Sequence, residues 1–536
     1  MFGRMHTEPP PAVEGYPDRL SYEPGDQVHL HLGATVTGLS GRARPAPTAR
    51  ACRVEVRRAP NGAVLRRWDT TVEPATIPAD AAAGGARWAP SLSFPIEDDW
   101  VPGWYELRLS STDDTSAEGA RTVRHAGFCV RARTGQPTSP VLLVLSTSTW
   151  NAYNDWGGPN LYTGGVRVSF RRPFARGLLD RPEPARHRNA TEVPDVEGAR
   201  WAAHFRAEQI CSWSACAGWP TWEEPLVAWA ERSGYRLDYA VSTDLEERPE
   251  ILDGHRLYLS VGHDEYWSGP MRDAVEGFVA SGGNAVFLSG NTSFWQVRFD
   301  PADPAGAEPG DRHVMVGFKG TARRDDPLAR TDPARMTGMW SDPRIGRSEH
   351  ALTGVSFTRG GYARIAGATP SGQRGYTVWQ PRHWVFDGTD LRYGDLLGAR
   401  HGVVGYECDG CELTLHNGLP VPTHADGCPE GFEVLASAPA RLWSVDHATG
   451  ENDYPEGLRA MRPRGELQDV AKVLFGDDST ETVARIAHGS AVLGTFAVPG
   501  GGTVVTTGCT DWAYGLEGED PTVERITRNL LDRLST

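Results

Sequence analysis

Long apolar runs are missing from this chain. Nowhere do 18 uninterrupted apolar residues occur, and Met1–Pro11 carries one arginine with no apolar segment behind it. The sequence therefore offers neither a membrane-spanning helix nor a secretory leader, and it reads as cytoplasmic. Cysteine is scarce, at eight in 536 residues, which is too sparse for a secreted disulfide scaffold. Only Cys408-x-x-Cys411 has close metal-like spacing, with Cys428 as a distant third ligand, and a single such pair is weak beside the doubled spacing of structural zinc sites. Cys211 and Cys216, near Trp213 and Trp219, read as small packed residues rather than thiolates. Dense basic runs interleaved with aromatics are absent as well. The balance of 54 Lys+Arg against 69 Asp+Glu leaves a formal charge of −15, so nucleic acid lacks its electrostatic footprint. No Gly-x-Gly-x-x-Gly or Walker segment follows a strand, and no Gly-x-Ser-x-Gly elbow occurs, which removes support for a nucleotide cofactor or a serine nucleophile.

What the chain does have is aromatic and turn-forming residues. Eighteen Trp, 16 Phe and 15 Tyr, with 39% hydrophobic and 23% charged residues, argue for folded cores rather than disorder. The length allows two to four domains. Gly 61 and Pro 40 together make about a fifth of the chain, an excess that points to many turns and long loops.

The patterning divides the chain in two. Gln27 to Leu32 and Arg53 to Arg57 alternate with period two, and a Pro102-Gly103 turn delivers a strand with Tyr105, Leu107 and Leu109 on one face. Residues 1–135 are therefore expected to form an N-terminal β-sandwich of immunoglobulin-like or jelly-roll-like type. Arg131 to Pro140 is a linker. From 140 to 536 the pattern is that of an α/β domain with a doubly wound sheet. The continuous apolar run Val141 to Leu145 suits a strand buried on both faces. A helix is expected from Thr221 to Ser233, opened by a Thr221/Glu224 capping box and stopped by Gly234. Strands follow at Leu237 to Val241 and Arg256 to Val261, then a Ser268-capped helix from Pro270 to Ala280 and a strand from Asn284 to Ser289. Residues 290–430 read as a long elaboration over the sheet. Regular structure returns at Ala491 to Val498 and Gly502 to Gly508, with a last helix from Pro521 to Leu534.

Ligands of open α/β sheets bind beyond the carboxyl ends of the strands. Those positions hold Ser146 to Trp156 and Tyr162, then Gly262-His263-Asp264-Glu265-Tyr266-Trp267, then Gly290-Asn291-Thr292. One reading of the second segment is a plain strand-to-helix turn, with Asp264 and Glu265 favouring a helix N-terminus. The other places His263 and Glu265 in a crevice shared with Tyr153, Tyr162 and Asn291. There a carboxylate and phenolates would suit a hard cation, and the imidazole would suit acid/base work in hydrolysis.

The segment Val261-Gly262-His263-Asp264-Glu265-Tyr266-Trp267-Ser268, followed by Gly282-Gly283-Asn284 and Ser289-Gly290-Asn291-Thr292, resembles the large (beta) subunit family of N,N-dimethylformamidase, including its C-terminal catalytic domain. The resemblance covers roughly residues 140 to 536, and Asp99 to Tyr105 resembles the end of the β-rich domain before it. It implies a glutamine-amidotransferase-like α/β domain with long loop elaborations, holding one mononuclear non-haem ferric iron and hydrolysing a small formamide to an amine and formate. Carried over residue by residue, Glu265 falls on the iron-ligand glutamate, and Tyr153 and Tyr162 are the best matches to two tyrosine ligands. His263 and Asn291 fall on pocket positions, Lys319 matches a pocket lysine, and Glu407 resembles the general-base glutamate. His263, Lys319 and Asn291 would stabilise the oxyanion or assist the leaving amine. The resemblance also implies a small accessory subunit, and the chain is expected to form a homo-oligomer. The bland reading of Glu407 is a solvated loop carboxylate. Rival functions are a ligand- or carbohydrate-binding protein of the same fold, and a hydrolase with another metal and a larger amide substrate.

Overall fold

A computed structural model describes residues 10–38, 42–112, 122–181, 210–211, 213–301, 313–363, 374–444 and 465–536. The opening segment, read above for its lack of an apolar leader, lies outside these residues up to position 9.

The N-terminal part is built from two sheets. One joins Ala12–Pro17, Gln27–Thr37, Ala43–Pro45 and Pro90–Pro95; the other joins Ser21–Tyr22, Arg124–Val130, Gly103–Ser111, Arg50–Arg58 and Val64–Val72. The period-two pattern explains how they pack. Tyr105, Leu107 and Leu109 point into a core with Val28, Leu30, Val54, Val56 and Phe128. Trp104, one residue out of phase with them, joins a different core, that of the rest of the chain. Trp104 meets Trp150 edge-on at 5.3 Å and stacks on Trp219 at 5.9 Å. Nearby, the buried Glu14 of the sandwich accepts the Trp156 indole N–H at 2.7 Å as well as the Thr35 and Thr37 hydroxyls.

The second part is organised on a nine-stranded sheet. Its strands are β1 (Val141–Leu145), β2 (Asp238–Val241), β3 (Leu257–His263), β4 (Asn284–Gly290), β5 (Tyr376–Val378), β6 (Leu396–Leu397), β7 (Glu433–Ala440), β8 (Gly489–Ala497) and β9 (Thr503–Thr506), in the order β2-β1-β3-β4-β9-β8-β7-β5-β6. The first five in that order are parallel and the remaining pairings are antiparallel. Every residue of β1, β2 and β3 is buried, as expected of parallel strands covered on both faces. The helices are α1 (Thr147–Tyr153), α2 (Glu223–Arg232), α3 (Gly269–Ala280), α4 (Trp512–Glu517) and α5 (Pro521–Leu534). Because β2 lies on one side of β1 and β3 on the other, the winding reverses between β1 and β3. That reversal opens a crevice at their carboxyl ends.

Two expectations need correction. The helix α2 begins at Glu223 with Trp222 as its cap residue and no side-chain cap bond. Thr221 does not cap it, because its hydroxyl donates to the carbonyls of Ser214 and Ala217 in the preceding turn. The stretch from 290 to 430 is not only an elaboration over the sheet, since β5 and β6 extend the sheet itself. They are three and two residues long, too short to carry an alternating apolar pattern. Among the described residues no helix is long and apolar enough to cross a membrane.

The packing of Trp104 yields a stability test. Trp104→Ala removes a side chain that is 1% exposed and should cost about 3–5 kcal/mol. Urea unfolding should show it as a lower midpoint with an unchanged slope.

Candidate active site

The crevice between β1 and β3 is furnished by α1 on one side and by the β3 end on the other. The short helix α1 carries Tyr153 in its last turn, and the buried Arg172 holds the segment that leaves the helix. Its guanidinium donates to the carbonyls of Asn154 and Trp156 and to the Asn151 side chain. Six residues beyond Asn154, Asn160 holds the following turn by accepting the backbone N–H groups of Tyr162 and Thr163. The two tyrosine rings therefore stack, with centroids 4.5 Å apart and an angle of 22°, and their hydroxyls meet at 2.8 Å.

Both hydroxyls converge on Glu265. Tyr162 Oη lies 2.6 and 2.8 Å from the two carboxylate oxygens, and Tyr153 Oη lies 3.1 Å from Oε2. The glutamate is fixed at its backbone too, its N–H donating to Thr149 Oγ1 of α1 and its carbonyl accepting from Trp295, which begins the strand Trp295–Asp300. On the far side of Glu265, His263 Nε2 lies 3.3 Å from Glu265 Oε2 and 2.7 Å from Glu407 Oε2. Its Nδ1 must carry a hydrogen, because its partner at 2.8 Å is the Cys216 carbonyl, which can only accept. Asn291 Nδ2 donates to Glu407 Oε2 at 2.8 Å. Lys319 Nζ sits 3.1 Å above the centroid of the Tyr162 ring and donates to Tyr266 Oη at 2.9 Å. Lys319 and Lys472 are the chain's only lysines, and the Lys319 ammonium over the Tyr162 face makes a cation–π contact.

Two glycines make this arrangement possible. Gly262 adopts φ +79°, and a Cβ there would come within 2.4 Å of the Trp222 side chain, which stands edge-on to His263 at 6.0 Å. Gly290 at the end of β4 would drive a Cβ to 2.5 Å from the Glu407 carbonyl. Without that close approach the strand Glu407–Gly410 could not bring its carboxylate to the crevice.

The electrostatics follow from burial. Burial, reinforced by Glu265, pushes both phenols well above their ordinary range, so Tyr153 and Tyr162 are neutral donors here. Burial also raises Glu265, against the pull of His263 and Lys319. Burial would raise Glu407 as well, but the His263 imidazolium and hydrogen bonds from His263, Tyr406 and Asn291 outweigh it and hold the carboxyl low. His263 in turn rises to about 9, because the Glu407 and Glu265 carboxylates outweigh its desolvation. At neutral pH His263 and Glu407 therefore form an ion pair.

The structure thus brings together Tyr153, Tyr162, Glu265, His263, Asn291 and Glu407, with Lys319 above Tyr162. Glu407 is 3% exposed and not a solvated loop carboxylate. Sequence reasoning passed over Thr149, Arg172 and Asp409. Of these only Asp409 carried a signal, lying two residues from Glu407 and so on the same side of an extended strand. All eight cysteines are free and buried. Cys408 pairs with Cys509 through a backbone bridge, while the Cys411 thiol neighbours Cys428. Among the described residues, no group of three or more His, Cys, Asp or Glu side chains is arranged to hold a metal ion. The phenols are accordingly indispensable to any metal reading of the crevice. Two phenols and a carboxylate are hard oxygen donors, and oxygens that share a small cation at roughly 2.0–2.2 Å lie about 3 Å apart, close to the separations between the Tyr153, Tyr162 and Glu265 oxygens. The donor set fits a hard cation such as ferric iron.

A family model described as "N,N-dimethylformamidase beta subunit-like, C-terminal" matches residues 53–525. The N,N-dimethylformamidase beta subunit of an Alcaligenes species is 22% identical over 480 residues, covering 83% of this chain and 54% of that protein. That of Paracoccus aminophilus is 24% identical over 485 residues, again covering 83% and 54%. The chain spans about half the length of the curated relatives it matches. Among solved structures, the sporulation control protein Spo0M from Bacillus subtilis overlaps 24% of this chain and 50% of its own at 10% identity and a TM-score of 0.14, too slight a likeness to carry an argument.

The glycine at the β3 end gives a direct test of how the crevice is built. Gly262→Ala should destabilise the fold by ~2 kcal/mol or more, combining a strained left-handed φ with a clash against Trp222. Differential scanning calorimetry should show a lowered Tm, and Gly277→Ala, where a Cβ meets open space, should not.

Proposed function

The chain belongs to the N,N-dimethylformamidase beta subunit-like family, and from that premise we propose that it is an amide hydrolase. Its substrate would be a small amide, a formamide in the first instance, cleaved to an amine and a carboxylate with ferric iron as the resident metal. The observation that carries this reading is the division of the crevice into two halves. Tyr153, Tyr162 and Glu265 present three hard oxygens to one point, and the His263–Glu407 ion pair lies immediately beside them, 3.3 Å away at its nearest. We read the parallel order β2-β1-β3-β4-β9 as a glutamine-amidotransferase-like sheet and the N-terminal module as an Ig-like or jelly-roll-like sandwich. Because the relatives are named as beta subunits, we propose that this chain also works with an accessory subunit.

Tyr153, Tyr162 and Glu265 would hold the iron, which when bound supplies Lewis-acid polarisation of the amide carbonyl. Loss of two phenol protons would leave the loaded crevice with a single additional positive charge, a modest burden for a buried site. The remaining chemistry falls to the ion pair. Glu407, ionised at neutral pH, takes the proton of the attacking water, and the His263 imidazolium gives its Nε2 proton to the departing amine. One proton is taken and one is given, and a shift across the 2.7 Å contact restores the resting pair. Asn291 keeps the Glu407 carboxylate oriented through its Nδ2 bond. Lys319 places positive charge beside Tyr162 and offsets the anionic donors.

Protein produced with ample iron should carry about one iron per chain and a visible phenolate-to-iron absorption, and it should release amine from N-methylformamide or N,N-dimethylformamide. Glu407→Gln should keep the iron and lower kcat by roughly 10²–10⁴, whereas Tyr162→Phe, which removes one of the two phenols, should weaken and shift the absorption. A colourless, iron-free wild-type protein, or a Glu407→Gln variant as fast as wild type, would sink the proposal.

A further inference from the structure

We propose that Asp409 is a positioning residue that holds Asn291 against Glu407. The inference rests on the reading of Glu407 and Asn291 as groups that serve the reaction. Asp409 lies on the strand Glu407–Gly410 and is 1% exposed. It spends both carboxylate oxygens on one neighbouring turn. Oδ1 accepts the backbone N–H of Asn291 at 3.0 Å and Oδ2 accepts that of Thr292 at 3.0 Å. A carboxylate straddling two successive N–H groups fixes the backbone between them, here a turn in which Asn291 adopts the left-handed φ of +51°. Asparagine tolerates that conformation better than most residues with a side chain, and here the two accepted N–H groups hold it there.

The imposed turn has a consequence at the side chain. A carboxylate accepts only, so the atom of Asn291 that meets Glu407 must be Nδ2, and the amide has one orientation. Its Oδ1 is then a buried acceptor with no partner among the described residues. Other bonds steady the loop, among them Ser293 N–H to the Asp264 carbonyl and the Ser289–Thr292 hydroxyl contact. Asp409 alone, among the hydrogen bonds described, takes the N–H of Asn291 itself. Glu407 is anchored separately, its carbonyl accepting the Thr510 N–H at 3.0 Å. One strand thus carries the reacting carboxylate and, two residues on, the carboxylate that aims its partner.

The test combines kinetics with structure, using full-length iron-loaded protein and N,N-dimethylformamide and N-methylformamide as probes. Asp409→Asn keeps the shape but turns one acceptor into a donor facing an N–H; Asp409→Ala removes both acceptors. Each should lower kcat by about 10- to 100-fold with KM within about threefold and iron content unchanged. If Asp409 acts through Asn291, Asp409→Asn should slow an Asn291→Ala enzyme by less than about twofold further. A crystal structure of Asp409→Asn should show Asn291 out of the left-handed region, with its Nδ2 no longer bonded to Glu407. If Asp409→Ala fails to fold, the Asn variant carries every arm. The proposal is overturned if kcat stays within about twofold of wild type, if the two effects add in the double variant, or if KM rises while kcat is kept. It is equally overturned if Asn291 keeps its turn without the Asp409 carboxylate. Should wild-type protein release no amine from either probe, the crystal structure alone decides the positioning role, and the failure belongs to the proposed reaction.

Discussion

The fold must keep a glutamate ionisable where water is excluded. Glu265 is 2% exposed, and a carboxylate so placed is expensive unless its oxygens and its backbone are all matched. Two phenols, an imidazole and a nearby ammonium do this at the side chain. Thr149 and Trp295 do it at the main chain. These partners come from several elements, so satisfying this one residue fixes α1, the end of β3 and the strand Trp295–Asp300 relative to one another. Arg172 belongs to the same logic, since its buried guanidinium binds the Asn154 and Trp156 carbonyls and so fixes the chain just beyond the carboxyl end of α1.

The sandwich enters this arrangement through its outward face. Trp104 reaches Trp150, and Glu14 binds Trp156, so the sandwich grips residues three before and three after Tyr153. The module is thereby part of how a phenol is held in place, and not only an appendage to the sheet. The family match, which begins at residue 53 within the sandwich, is in keeping with that shared packing.

What could be read in advance follows from how local each cause is. Ser268 caps α3 with its own hydroxyl, and α5 runs from Pro521 to Leu534 between a proline start and a Ser-Thr end, so both were legible. A continuous apolar run announced β1, and largely apolar segments alternating with helices announced β3 and β4. Thr221 misled because a hydroxyl can be claimed by the preceding turn as easily as by a helix. β5 and β6 were invisible because two- and three-residue strands owe their pairing to neighbours distant in sequence. Within the site, Tyr153, Glu265 and Asn291 could be placed from their position after strands. Glu407 could be placed only by resemblance, because its approach depends on Gly290 and Thr510. Asp409 was passed over although its spacing from Glu407 put both on one side of a strand, because the backbone N–H groups that it binds lie more than a hundred residues away in the chain.

The central claim is that Tyr153, Tyr162 and Glu265 form one metal site. An anomalous-difference electron-density map at the iron edge, from crystals of iron-loaded protein, tests it most directly. The account predicts a single peak among the two phenol oxygens and the Glu265 carboxylate. A peak elsewhere in the chain, or none in protein that hydrolyses an amide, would contradict it.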